Sequence, residues 1–232
     1  MPEMTFRVSQ VDVFRAWEEN PEADMGWLIK NLVSKEPTED MLRGTAFHAA
    51  LETIGTGDVD RIDSQGFTFL FDGDYEIPLF PVREIRVNKN YGGIVVSGQV
   101  DGIAGNHIMD HKAATWFDAE RYFLKYAWRY YLDIFKADRF TWYVWEMKET
   151  DEKRVFMVRD LHVIEQFRYP DLEKDCRTLA LRLKAFAEQH LNKPPAKEES
   201  ILETLARSVA VVRMKKAEEE LLITDEDIAC PR

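Results

Sequence analysis

The stretch GQVDGIAGNHIMDHK, Gly98 to Lys112, decides how the rest of the chain is read. An apolar run from Ile94 to Val100 leads into Asp101, Gly105 and Asn106 give a turn signal, and His107 to Lys112 returns with alternating apolar residues. That is the pattern of a β-hairpin. Successive strand side chains point to opposite faces, so Asp110 and Lys112 share one face and His111 points to the other. The sequence around Asp101, Val-Asp-Gly-Ile, and the apolar run before Asp110 describe a buried setting. Charges in such a setting need partners.

A face of this kind suits metal-assisted hydrolysis. Asp101 and Asp110 offer hard oxygen ligands for Mg²⁺ or Mn²⁺, with the main-chain carbonyl of His111 as a third. Lys112 would then stand beside the attacking water, where it could orient the water, help deprotonate it, or balance charge on a five-coordinate phosphate. The residues leave those three roles open. Taken alone, an Asp-x-Lys triplet is more often a solvated strand face, and only the buried context separates the two readings.

The 232 residues suffice for one good-sized core, or a core with a helical appendage, and 45% hydrophobic with 31% charged residues is an ordinary globular composition. No apolar run reaches the length that crosses a membrane. The start, MPEMTFRVSQ, lacks a basic segment followed by an apolar one. Cys176 and Cys230 are far apart, which points to reduced thiols and a cytoplasmic location rather than a disulfide frame or a metal cluster. A net charge of −11 argues against non-specific coating of nucleic acid. It is compatible with an enzyme whose groove is locally basic. The acidic excess is uneven: residues 1–40 hold four basic and nine acidic side chains, whereas 113–169 are balanced. Within that second segment Arg121, Lys125, Arg129, Lys136 and Arg139 lie among aromatics, the best candidate for touching a phosphate backbone.

Along the chain, Ser9 is the expected N-cap of a helix through VDVFRAWEEN that Pro21 ends, and Met25 to Val33 has helical period. Thr38, Glu39 and Asp40 open a third helix that runs to a stop near Gly55. On it Met41, Thr45, His48 and Glu52 share one face. The segment 58–74 is polar and turn-rich around one strand, Phe67 to Phe71, and Arg83 to Asn90 is a strand leading to the hairpin. A single long helix is expected from Ala119 to Lys136. Phe140 to Glu149 and Lys153 to Val163 pair around an acidic turn. Pro170 and Asp171 open a helix to Leu191, residues 192–199 form a linker, and Ser200 caps a last helix to Leu222. The order predicts an α/β (α+β) fold, a central mixed β-sheet flanked by helices with a helical C-terminal extension.

Four pieces carry a family resemblance: GTAFHAALE (Gly44 to Glu52), GQVDGI (Gly98 to Ile103), MDHKAA (Met109 to Ala114) and YAWRYYLDIF (Tyr126 to Phe135). In order and spacing they resemble the PD-(D/E)xK nuclease superfamily, in its RecB-like branch of phage-type and CRISPR-associated exonucleases. The N-terminal SQVDVFRAWEENPEA resembles the family's opening helix, and the likeness fades after about Val163. The resemblance implies a restriction-endonuclease-like core within a nuclease domain at 1–191, its motifs over about 38–163, followed by the extension at 192–232. It implies that His48, Asp101, Asp110 and the His111 carbonyl bind Mg²⁺ or Mn²⁺ and that Lys112 is the catalytic lysine, with Asp101 and Asp110. The family's Gln-x-x-x-Tyr motif falls on Ala127 to Tyr131, so Tyr131 matches and the glutamine is missing. Arg129 or Trp128 would take over its DNA contact, with Lys125 nearby. The cysteines of an iron–sulfur cluster are absent, so none is expected. Glu52 is read as an outer partner of His48, a second-metal ligand, or a solvated helix acid.

The aromatics from Trp116 to Trp145 could stack bases or fill the core. Phe123, Trp142 and Val144 are expected in the core, Trp116, Tyr122 and Trp128 stay open, and His107 and His162 are structural or exposed. The expected function is a metal-dependent DNA exonuclease for recombination or repair. A single-strand annealing protein and further copies of the chain are the partners implied. The alternatives are a DNA-binding or assembly module without activity, and a restriction-type endonuclease.

Overall fold

The computed structural model describes residues 4–20, 22–33, 36–53, 60–73, 75 and 80–191. The chain divides into two compact units, Met1–Ala187 and Glu188–Arg232. The second is described only over residues 188–191. The stop near Gly55, Pro21, Cys230, the linker and the last helix therefore lie outside the described residues.

The first half of the chain forms β1 (Met4–Arg7), α1 (Val8–Glu18), α2 (Met25–Val33), α3 (Glu39–Thr53), β2 (Arg61–Ser64), β3 (Phe67–Phe71), β4 (Val82–Asn90) and β5 (Ile94–Ala104). The second half forms β6 (His107–Ala114), α4 (Ala119–Leu124), α5 (Ala127–Phe135), β7 (Arg139–Glu149), β8 (Val155–Phe167) and α6 (Leu172–His190). The strands make one mixed sheet in the order β1-β5-β6-β7-β8-β3-β2, and β4 pairs with β5 outside that path. Three pairings are parallel: β1 with β5, β6 with β7 and β3 with β8. The expected mixed sheet flanked by helices is what forms. Among the described residues, no helix is long and apolar enough to cross a membrane.

The largest departure lies between Ala119 and Lys136, where one helix was expected and two are found. Lys125 is extended (ψ 139°) and Tyr126 is the N-cap from which α5 starts afresh. The cause is tertiary: Asp12 Oδ1 on α1 accepts the Tyr126 N–H at 2.7 Å, giving that amide a partner outside the helix. The break turns Phe123, expected in the core, outward to 47% exposure. Trp142 and Val144 are buried as expected; of the three aromatics that the sequence leaves open, Tyr122 and Trp128 are buried and Trp116 is exposed.

At the other end, Ser9 lies inside α1 rather than capping it. Strand β1 runs directly into the helix at Arg7, whose N–H is accepted by Gln10 Oε1 at 2.7 Å. Thr38 does cap α3, its Oγ1 accepting the Met41 N–H at 3.3 Å, with Glu39 and Asp40 in the first turn. The segment before Phe67 holds β2, antiparallel to β3.

Helix α3 buries Ala46, Phe47, Ala50 and Leu51 against Phe67, Phe69 and Phe71 of β3, Trp145 and Met147 of β7, and Phe156 and Val158 of β8. Phe47 meets Phe69 and Trp145 edge-on at ring distances of 4.9 and 5.7 Å. These aromatic contacts add to burial that itself contributes about 1.5–3 kcal/mol per large side chain. The packing fixes where α3 lies on the sheet, and hence where its other face points.

Candidate functional site

The hairpin of β5 and β6 opens like a fork. Its ladder pairs Ala104 with His107, Ile103 with Ile108 and Gly102 with Met109, then stops, while β6 continues along β7 to Ala114 opposite Glu146. Asp101 and Asp110 are the next residues past the last pair. Separation of the strands leaves the main chain of His111 without a ladder partner on that side, and buried backbone groups must find one. The His111 N–H donates to Asp101 Oδ2 at 2.6 Å. Its carbonyl accepts from His48 Nε2 at 2.8 Å. Nδ1 of the same imidazole stands 3.3 Å from Asp101 Oδ1. One helix side chain and one strand carboxylate thus complete the backbone pairing that the sheet abandons.

Two glycines make the fork possible. A Cβ at Gly102 would lie 1.8 Å from a Phe80 ring carbon, and one at Gly98 would lie 3.3 Å from Tyr131 and Ile134 of α5. Asp101 sits between them, so both neighbours of its strand can be covered closely.

Asp110 is 2% exposed and forms an ion pair with Lys112. It is the buried Oδ2 of Asp110 that faces the Lys112 ammonium. The Lys112 ammonium lies 5.3 Å from the Trp142 ring centroid, a cation–π contact. Burial and then repulsion from Asp101 push the Asp110 carboxyl up to about 6, against the pull of Lys112 and His48. Burial acts the same way on Asp101, but there the hydrogen bond and charge of His48, with Lys112 and the His111 N–H, win and hold it down at about 2. Two carboxylates in one fork cannot both ionise freely, and the difference in their surroundings separates them. Burial pulls His48 down, yet the Asp101 hydrogen bond and charge outweigh it and leave the imidazole raised. Lys112 is likewise pulled down by burial and held above the ordinary value by Asp110 and Asp101.

The ring of His111 points away from this face, as alternation requires. It stacks on Phe80 at 5.2 Å, and its Nδ1 accepts the indole N–H of Trp145 at 3.1 Å. That bond leaves the ring proton on Nε2, and burial pulls the group down to about 3.

Two clefts flank Lys112 and Tyr131, which line both. One, of about 360 Å³, holds His48, Glu52, Glu84, Gln99, Asp101 and Asp110. The other, of about 390 Å³, holds Asp12, Arg15, Trp27, Arg121, Lys125 and Trp142. Of the residues expected at DNA, Lys125 and Tyr131 face a cleft. Trp128 is buried and packs on Tyr169 at 6.2 Å. Arg129 lies over the rings of Tyr126 and Trp128 at 4.2 and 4.5 Å. His107 bonds Thr141 Oγ1 at 2.7 Å and His162 pairs with Glu146 at 2.9 Å, both structural roles.

Sequence reasoning missed Glu84 and Gln99. Glu84 has a left-handed backbone (φ 54°), between the pairs Arg83 with Gly102 and Ile85 with Val100. It is thus the β4 residue facing Asp101, and its carboxylate accepts from Gln99 Nε2. The signal for Gln99 was its place two residues before Asp101 on the same strand; none marked Glu84.

Chemically, the fork offers carboxylate oxygens, a carbonyl oxygen and an imidazole. Among the described residues, no three His, Cys, Asp or Glu side chains are grouped closely enough to hold a metal ion as they stand. The donor types nevertheless fit a hard divalent cation: two carboxylates, a carbonyl oxygen and an imidazole meet at the fork, with Asp110 Oδ2 held by the Lys112 ammonium. No family model matches the sequence. No curated protein matches it either. Among solved structures the chain is similar to one described as "Crystal structure of SSO0001", at 16% identity over 84% of this chain and 80% of that one, with a TM-score of 0.44.

Proposed function

We propose that the protein is a divalent-metal-dependent deoxyribonuclease with a restriction-endonuclease-like core, acting on DNA ends. The observation that carries the reading is the convergence at one fork of His48, Asp101, Asp110, the His111 carbonyl and the Lys112 ammonium. Asp101, Asp110, His48 and the carbonyl would hold Mg²⁺ or Mn²⁺, which when bound supplies Lewis-acid activation of water and neutralises charge on the phosphate. To hold it, His48 would present Nε2 without the proton that now bonds the His111 carbonyl, and Asp110 would share its carboxylate between the ion and Lys112.

The chain's own part is positioning. The scissile phosphodiester lies across the fork, where Lys112 meets its oxygens, orients the attacking water or balances the charge that builds on phosphorus. Water attacks phosphorus, one P–O ester bond breaks, and the leaving oxygen takes a proton, giving a phosphomonoester and a hydroxyl end. Aromatic Trp142 beneath Lys112 keeps the ammonium partly dry, which strengthens its pull on an anion.

End-labelled linear duplex and single-stranded DNA, incubated with Mg²⁺, Mn²⁺ or chelator, tests this directly. Cleavage that chelator abolishes, and that Lys112→Ala or Asp110→Asn reduces by about 10³-fold or more while the circular dichroism spectrum is kept, supports it. Parent protein without chelator-sensitive cleavage, or a Lys112→Ala variant as fast as the parent, sinks it. Closed circular substrate separates an end-dependent enzyme from an endonuclease. A second reading, a DNA-binding module without turnover, is favoured by the absence of a closed donor group among the described residues. Tight binding with no turnover in Mn²⁺ is its signature.

A further inference from the structure

The cleft on the far side of Lys112 has a different composition from the fork. Its ammonium, Lys125, ends α4 and lies over the rings of Tyr122 and Trp142 at 4.4 and 5.5 Å. Among the described residues no carboxylate forms an ion pair with it. The acid that shares the cleft, Asp12, attracts this amine from beyond ion-pair distance, while its Oδ1 accepts the Tyr126 N–H at 2.7 Å and faces Arg15 Nε at 3.5 Å. A partly buried cation held by aromatic faces, with no carboxylate at ion-pair distance, is costly unless an anion joins it. Burial and the charge of Lys112 pull this amine down to about 8. At the mouth stand Arg121, over Trp116 at 6.0 Å, and Trp27, which is 48% exposed and lines the cleft. An exposed indole lining the same cleft as an ammonium without an ion pair offers a surface for a base and a charge for a phosphate.

We propose that this cleft is a second phosphate subsite: Lys125, aided by Arg121, takes the phosphate adjoining the one at the fork, and Trp27 receives the base attached to it. The ligand class is a nucleic-acid phosphate, whether a terminal monoester or an internal diester. The proposal rests on the nuclease reading for the position of the neighbouring phosphate. It does not depend on turnover.

Anisotropy of a short fluorescein-labelled single strand, measured in Ca²⁺ over a range of salt concentrations, tests the subsite without cleavage. Lys125→Met should weaken binding about tenfold and reduce the slope of log affinity against log salt by about 1. Lys125→Arg should retain both, and Trp27→Ala should weaken binding about tenfold with the slope kept. Lys148→Met, which removes an exposed strand charge, is the control and should bind as the parent. Strands ending in a 5′-phosphate, a 3′-phosphate or hydroxyls divide the sources. A loss confined to one phosphorylated end assigns a terminal monoester, and an equal loss for all assigns an internal diester. Lys125→Met binding with the parent's affinity and slope, or a loss matched by Lys148→Met, overturns the subsite even if metal-dependent cleavage is found. Lys125-dependent binding by a protein that never cleaves DNA keeps the subsite and removes the nuclease. Should Lys125→Met not fold, Lys125→Gln and Trp27→Ala carry the same measurement.

Discussion

Two hairpins of this sheet, β5–β6 and β7–β8, begin from the same local pattern and end differently. Strands β7 and β8 stay paired from Arg139 opposite Phe167 to Glu149 opposite Phe156, with one irregularity at Glu146 and Met147. Strands β5 and β6 separate after Gly102 opposite Met109. In the first hairpin the ladder satisfies the backbone, and large side chains such as Trp142, Trp145 and Met147 are free to pack. In the second, Asp101 and His48 satisfy the backbone, so charged groups are drawn to the point of separation. A hairpin that stays closed builds core; one that opens builds a site.

Substitutions sharpen that contrast. Trp145→Ala strikes the closed hairpin where it meets Phe47, Phe71 and Tyr75. Chemical denaturation should show a loss of about 3–5 kcal/mol. Gly102→Ala attacks the open hairpin by driving a methyl group into Phe80. It should cost about 1–3 kcal/mol in the same measurement, and a variant as stable as the parent would mean that Phe80 moves aside freely.

Asp101→Asn keeps the size of the side chain and removes its charge. It should lower stability by about 1–2 kcal/mol at neutral pH. Without the carboxylate the His48 imidazole should titrate lower than in the parent, a shift that proton NMR of the ring reads directly.

Lys125→Met lies outside both hairpins and should act in the opposite direction. Folding lowers this amine from 10.5 to about 8, through burial and the charges of Lys112 and Arg121, against Asp12 and Asp110. Between those values the unfolded chain binds more protons than the folded one, so the parent gains stability as pH rises from about 8 to 10.5. At pH 7 the parent bears the full cost of the buried charge. Lys125→Met should therefore be the more stable protein there by about 1 kcal/mol, with the advantage shrinking at alkaline pH. An unchanged or lower midpoint at pH 7 means that the ammonium has a partner in the free protein.

Periodicity made the hairpin, α3 and the β7–β8 pair legible, because each is fixed by residues close in sequence. It placed Asp110 and Lys112 on one face and His111 on the other, as found. What escaped it depends on distant partners. Nothing in Ala119 to Lys136 marks a break, since the group responsible is the carboxylate of Asp12, more than a hundred residues upstream. Strand β1 is four residues long and owes its conformation to parallel pairing with β5. Glu84 was invisible for the same reason: only its register across from Asp101 gives it meaning. The meeting of His48 with Asp101 was expected from family resemblance, and its physical origin is the packing of Phe47, its neighbour in α3, into the aromatic core.

The bond from the Trp145 indole to the His111 ring ties one of the largest core side chains to the residue whose main chain faces the site. An indole proton donated to an imidazole nitrogen resonates away from those donated to water, so this one proton is a built-in spectroscopic probe. Its signal should stay constant while ligands exchange at the rim, and move whenever an ion engages the carbonyl on the other side of the same peptide.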